Sequence, residues 1–261
     1  MKTVAIILCR MASSRLPGKA LLPLAGKPSL QWCYERVSAA KEVDEVVIAT
    51  TLNESNNALR MVCEENQWTC FNYPQDENDC LGRVYNCAVT CQADIIVDIT
   101  ADCPLVDPRH IDHLVKLLKD TGYDYVSNDI ISRSWCDGAD LQIYTMNALN
   151  RICAAPYSMI NKEHTGWNIA AHGHEFAPAM KIYHLVAPET MNWPELSLSL
   201  DCAEDWKFLE KLMLDAGVDR DKRHNIDTTL EDIIQFLKHR LIDEPGYITN
   251  QGIHRKWRDA K

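Results

Sequence analysis

Ten residues near the start of the chain, Arg10–Lys19 (RMASSRLPGK), combine three cations, two hydroxyls and a glycine. Arg10, Arg15 and Lys19 can offset the charge of a polyphosphate, and Ser13 and Ser14 can donate hydrogen bonds to its oxygens. Gly18 allows close approach of the backbone, whose N–H groups add further donors. Two acidic positions farther along suit the same chemistry: Asp102 in TADCPLVDP and Asp201 in LSLDCAED. Paired carboxylates can hold Mg2+, which stabilises charge on the phosphates of a transfer reaction.

Other side chains could complete such a site. Arg83, in DENDCLGRVYNCA, falls in the first turn of an expected helix. A cation is poorly placed there for helix stability, so an anionic or acceptor-bearing partner explains it, the alternative being a surface arginine. Asp137, Gly138 and Asp140 in CDGADLQIY, and Glu163 and His164 in KEHTGW, form a second polar group. Its carboxylates suit sugar hydroxyls, and His164 can donate or be a buried structural histidine. Asp102 could equally be a turn former before Pro104, and Asp201 a helix N-cap. Asp98 falls inside a strand and Asp107 reads as a helix cap, so neither joins the expected metal pair, and Asp205 is a weaker supporting candidate.

These residues need elements to hold them. The first half alternates short β-branched runs with amphipathic stretches, the pattern of βαβ units and a mostly parallel sheet. Strands are predicted at Thr3–Leu8, Val46–Thr50, Thr69–Asn72, Ile95–Ile99 and Tyr123–Ser127. Helices are predicted at Leu30–Ala40, Glu54–Asn66, Leu81–Cys91 and Arg109–Lys119. The implied fold is an α/β, three-layer α/β/α domain. In such sheets ligands bind outside the carboxyl ends of the strands, where the Arg10–Lys19 loop, Asp102 and Asp201 all fall. Neither GxGxxG nor GxxxxGK[ST] follows the first strand, against a dinucleotide site or a P-loop.

After Asn128 the rhythm changes. A strand at Leu141–Thr145, helices at Met146–Ala154 and Lys162–His172 and a strand at Met180–Leu185 suggest an insertion over residues 129–190. A strand at Leu196–Leu200 and helices at Ala203–Ala216 and Leu230–Leu241 close one domain spanning 1–245, leaving 246–261 as a loosely ordered tail.

Composition narrows the setting. A net charge of −10 over 261 residues opposes nucleic-acid binding, so an anionic ligand needs a local basic cluster. No apolar run approaches the roughly 20 residues of a membrane span, and the opening MKTVAIILCR is too short for an export signal, so the cytoplasm is expected. The odd number of cysteines, eleven, is scattered without paired metal-ligand spacing, which disfavours both disulfides and structural zinc.

The run RMASSRLPGKALLPLAGKPSL resembles the opening motif of the CMP-sugar-acid synthetases, the cytidylyltransferases of 3-deoxy-manno-octulosonate and acylneuraminate, and most closely the spore-coat polysaccharide type. The resemblance spans about Lys2 to Ala216. It implies a nucleotide-diphospho-sugar transferase-like, Rossmann-like fold and CTP as donor. It also implies Mg2+ on Asp102 and Asp201, Arg83 on the nucleotide, and a sugar-acid-like acceptor in a surface-glycan pathway. Arg15 and Lys19 would stabilise the β- and γ-phosphates, and a homodimer would form through the inserted region. One rival is a sugar-1-phosphate nucleotidylyltransferase, whose opening loop has the form GxGTRL. Others are a non-catalytic nucleotide-binding protein and a glycosyltransferase with a DxD-like metal motif, which TADCP replaces poorly.

Overall fold

The structure is a computed structural model and describes residues 1–129, 132–154, 162, 165–166, 180–218 and 227–248. In chain order its elements are β1 (Thr3–Leu8), β2 (Pro23–Leu24), β3 (Lys27–Pro28), α1 (Ser29–Ser38), β4 (Glu45–Thr51), α2 (Asn57–Glu65) and β5 (Thr69–Tyr73). There follow α3 (Cys80–Thr90), β6 (Ile95–Thr100), α4 (Pro108–Thr121), β7 (Tyr125–Ser127), β8 (Gln142–Thr145), α5 (Met146–Ala154), β9 (Ile182–His184), α6 (Ala203–Asp215) and α7 (Leu230–Asp243).

Seven strands form one sheet in the order β5-β4-β1-β6-β8-β7-β9. β1 pairs in parallel with both β4 and β6. The chain therefore leaves β1 on one side and returns on the other, which makes the carboxyl ends of β1 and β6 a topological switch point.

Alternating residues of the central strands feed two apolar layers. Ala5, Ile7, Val97 and Ile99 pack with Leu30 and Val37 of α1 and Leu114 and Leu118 of α4. Val4, Ile6 and Ile96 pack with Val84 of α3 and Leu149 of α5. With both faces covered, β1 reads as a nearly continuous apolar run, and β6 does so except at Asp98. The expected three-layer α/β/α architecture is present.

A third cluster lies beside the sheet, where Leu24 of β2 and Trp32 of α1 meet Leu209 of α6 and Ile234 of α7. Asp107 links it to the main body. One carboxylate oxygen accepts from Arg109 N at 2.9 Å, capping α4, and the other accepts from Leu230 N at 2.7 Å at the start of α7.

Two expectations need correction. Part of the region taken as an insertion, residues 129–190, belongs to the main sheet: β8 runs antiparallel between β6 and β7, and β9 adds the edge. Ile143 and Tyr144 of β8 are fully buried on opposite faces, which only a central strand allows. Among the described residues Leu196–Leu200, expected as a strand, joins no sheet and pairs through an isolated bridge from Ser197 to Asp137. Its alternating leucines serve the third cluster, so period two marked burial and not strand pairing. The predicted helix Lys162–His172 lies outside the described residues except at 162, 165 and 166, as does the tail from 249. Among the described residues no helix is long and apolar enough to cross a membrane.

Candidate active site

A cavity of about 670 Å3 opens at the carboxyl ends of β1 and β6. Arg10, Ser13, Ser14, Arg15 and Lys19 line one end with Asp102 and Asp201, while Asp129, Arg133, Asp137 and Asp140 line the other.

The basic loop is held from below. Met11 N donates to Asn56 Oδ1 at 2.8 Å, and the buried Asn56 amide donates to Thr51 Oγ1 at 2.7 Å and Glu77 Oε1 at 2.8 Å. Gly18 takes φ +73°, a left-handed conformation suited to glycine, and its N–H closes the loop on Met11 O at 3.0 Å. Gly18 thus turns the chain so that Lys19 enters the cavity, and does not itself line it. Arg10 reaches Asn78 Oδ1 at 2.8 Å.

The two acidic residues come from segments about a hundred positions apart in sequence and meet because Leu200 N donates to Asp102 O at 2.8 Å. Asp201 is not the helix cap. Cys202 takes that place, and the buried Asp205 carboxylate accepts from both Asp201 N at 3.0 Å and Cys202 N at 2.9 Å. The Asp201 side chain is left to face the cavity.

Lys19 Nζ lies 2.7 Å from Asp102 Oδ2 and 3.0 Å from Asp201 Oδ1, and Arg15 reaches Asp201 Oδ1 at 2.7 Å. Burial disfavours the Lys19 ammonium, but the two carboxylates more than offset it and raise its pKa. Burial likewise opposes ionisation of Asp201, and Lys19 and then Arg15 overcome it, so its carboxyl titrates below the usual range.

The pair suits a hard cation. Two carboxylates from separate segments converge on one positively charged point, currently the ammonium. Among the described residues no group of three or more His, Cys, Asp or Glu is arranged to cage a metal. Mg2+ characteristically takes one or two carboxylates and completes its shell with substrate phosphates and water, which this arrangement fits.

Arg83 is 2% exposed, so the surface alternative is wrong. Its guanidinium makes long contacts to Cys9 O (3.4 Å) and Glu77 O (3.5 Å), and its Nε has no partner among the described residues. Ser29 Oγ, also buried, also lines the cavity without a partner. Buried polar atoms left unmatched beside a cavity are a costly arrangement that a bound ligand can relieve.

At the far end, Asp140 receives a bidentate pair from Arg133 at 3.0 and 3.1 Å. Asp137 accepts from Ser199 Oγ at 2.7 Å and Ser197 Oγ at 3.1 Å, and lies 3.7 Å from Arg133. Asp98 accepts from Tyr144 OH at 2.8 Å, and burial pushes its pKa up to about 6. Gly138 does not line the cavity. At φ +88°, a Cβ there would come within 2.6 Å of the Leu198 backbone, so glycine permits the close packing that carries Asp137 to Ser197 and Ser199. Glu163 and His164 lie outside the described residues. Arg133, Asn56, Ser29 and Asp129 escaped the sequence reading. Only Arg133 left a signal, a cation four residues before Asp137 and seven before Asp140.

The family described as Cytidylyltransferase matches residues 4–215. An uncharacterized protein of Methanocaldococcus jannaschii is 29% identical over 91% of this chain and 90% of its own. The spore coat polysaccharide biosynthesis protein SpsF of Bacillus subtilis is 30% identical over 81% of this chain and 86% of its own. A cytidylyltransferase structure from Leptospira borgpetersenii superposes with a TM-score of 0.82 at 25% identity, covering 97% of this chain and 99% of the other. A CMP:2-keto-3-deoxy-manno-octonic acid synthetase complexed with CTP shares the fold, at TM-score 0.61 and 18% identity over 82% and 99% of the two chains.

Proposed function

The chain belongs to the cytidylyltransferase family, and on that premise we propose that it transfers CMP from CTP to an oxygen of a sugar-acid-like acceptor, releasing pyrophosphate, in surface-glycan synthesis. The observation that carries this reading is the meeting of Lys19, Arg15, Asp102 and Asp201 within hydrogen-bonding distance at the switch point. The relative SpsF, by its name, acts in spore coat polysaccharide synthesis, which supports a glycan setting.

The residues divide the work by position. Arg15 and Lys19 bind the β- and γ-phosphates and hold them as they depart, with Ser13 and Ser14 as added donors. Arg83 and Ser29, with buried unmatched atoms, contact the nucleotide. Asp102 and Asp201 would hold Mg2+, which when bound supplies charge stabilisation at the α-phosphate. The Asp129–Arg133–Asp137–Asp140 end orients the acceptor, whose oxygen bonds to the α-phosphorus as the bond to the pyrophosphate oxygen breaks. A hydroxyl acceptor gives up one proton. Aligning the two substrates in one cavity removes much of the entropic barrier to their encounter. The enzyme is expected to be a cytoplasmic homodimer, which light scattering of the purified chain would check.

A pyrophosphate-release screen tests the reading: four nucleoside triphosphates against sugar acids, sugar phosphates and phosphonates, with Mg2+ and product masses. CTP with an acceptor that gains the mass of CMP is the expected result. Turnover confined to a sugar 1-phosphate with UTP or GTP would replace the reading with that of a sugar-1-phosphate nucleotidylyltransferase.

A further inference from the structure

Lys19 has two roles that cannot be filled at once. It belongs to the loop that would hold the phosphates, yet its ammonium sits between the two carboxylates that would hold the metal, 2.7 Å from one and 3.0 Å from the other. Resting on the nucleotidyl-transfer reading above, we infer that Lys19 is a placeholder for the metal: it neutralises Asp102 and Asp201 in the empty enzyme and yields them only when a triphosphate arrives.

The charges support this. Without ligand, Lys19 and Arg15 balance Asp102 and Asp201 within one small cluster, leaving little net attraction for a divalent ion. Lys19 is largely buried, its side chain 17% exposed, so the ion pairs are screened less than surface pairs. An entering metal must displace an ammonium already bound to both of its ligands. A triphosphate supplies Lys19 and Arg15 with new anionic partners in the same cavity, and the carboxylates are released as the metal comes in with the phosphates. Gly18 and the short turn Lys19–Leu21 anchor the Lys19 backbone, so the exchange needs only rotation of the side chain. Metal and nucleotide then bind with positive coupling, and by linkage each raises the affinity for the other by the same factor. The device lets the enzyme keep its paired carboxylates preorganised without filling them with a bare metal ion.

The test is Mn2+ binding to the full, nucleotide-free chain, followed by electron paramagnetic resonance, with and without CTP. Wild-type protein should bind Mn2+ weakly alone and more tightly with CTP. Lys19→Met, with Lys19→Gln beside it in case one fails to fold, should bind Mn2+ without nucleotide at least about tenfold more tightly than wild type, a change of about 1.4 kcal/mol. The dependence on CTP should shrink in the same variants. Lys19→Arg should keep the weak nucleotide-free Mn2+ binding of wild type, and adding Asp102→Asn to Lys19→Met should abolish the gain. Unchanged or weaker Mn2+ binding in the neutral variants overturns the placeholder role, as does a gain that survives Asp102→Asn. Calorimetry of CTP binding to wild type separates the two ideas. If CTP does not bind, the nucleotide reading fails and the coupling with it; if CTP binds but the neutral variants gain nothing, only the placeholder role fails.

Discussion

The two ends of the cavity solve the problem of buried charge in opposite ways. At the loop end, four charged side chains from three segments meet, and none has an exclusive partner: Lys19 is shared by Asp102 and Asp201, and Asp201 by Lys19 and Arg15. Their partners can be exchanged. At the far end, Arg133 is committed bidentately to Asp140 and Asp137 is fixed by two serine hydroxyls, inside a scaffold built by β7, β8 and the Gly138 turn. A replaceable network suits a substrate that brings its own charge, whereas a fixed one suits recognition of shape and hydroxyl pattern.

The largest expected effect tests the exchangeable end. Asp102→Asn and Asp201→Asn should each lower kcat/KM by about 10²–10³, or roughly 3–4 kcal/mol of transition-state stabilisation, with melting temperature little changed. Steady-state pyrophosphate release and a thermal melt together check it. A loss of stability matching the loss of activity would place these carboxylates with the fixed end.

Arg133→Met should behave in the opposite way. Removing one partner of a pair that is 23% and 24% exposed leaves Asp140 without its bidentate donor, for about 1–2 kcal/mol of stability. Urea unfolding should show that loss, and kinetics should show a raised KM for acceptor with KM for CTP little altered.

A subtler contrast concerns Asp98, whose carboxyl keeps its proton to about pH 6 in the folded state against an ordinary value of 3.8. Between those values the folded protein holds more protons than the unfolded chain, so stability falls as pH rises from about 4 to 6, by up to about 3 kcal/mol. Asp98→Asn should match wild type near pH 4 and exceed it at pH 7, read from urea midpoints at both. A variant less stable than wild type at pH 7 would assign Asp98 a needed negative charge.

The smallest effect belongs to Arg10, at the mouth of the loop on Asn78. Arg10→Ala should raise KM for CTP by less than about tenfold and leave kcat nearly unchanged, consistent with one partly exposed charge.

The same contrast explains what the sequence revealed. The loop residues lie within ten positions of one another, so their joint chemistry is local, and the strand pattern placed them at the sheet edge with Asp102, whereas Asp201 arrives there through Leu200 N on Asp102 O and not through the strand expected before it. The hold on Asp137 depends on the turn at Gly138 and on Ser197 and Ser199 arriving from a segment sixty residues later. Nothing in residue spacing announces that. The 129–190 region misled for a related reason. β8 is too short for its period to show whether it lies in the sheet or outside it, and only antiparallel pairing with β6 and β7 decides. Gly18 and Gly138 looked like ligand-facing glycines, yet both are demanded by backbone geometry, at φ +73° and +88°.

The central claim is that the triphosphate lies on the Arg10–Lys19 loop beside a metal held by Asp102 and Asp201. A crystal structure with CTP and Mn2+, read by anomalous scattering, tests it most directly. The expected map places the Mn2+ peak between the two carboxylates, with Lys19 and Arg15 turned onto the phosphates. A Mn2+ peak at the Asp129–Asp140 end, or a triphosphate bound away from the loop, would contradict it.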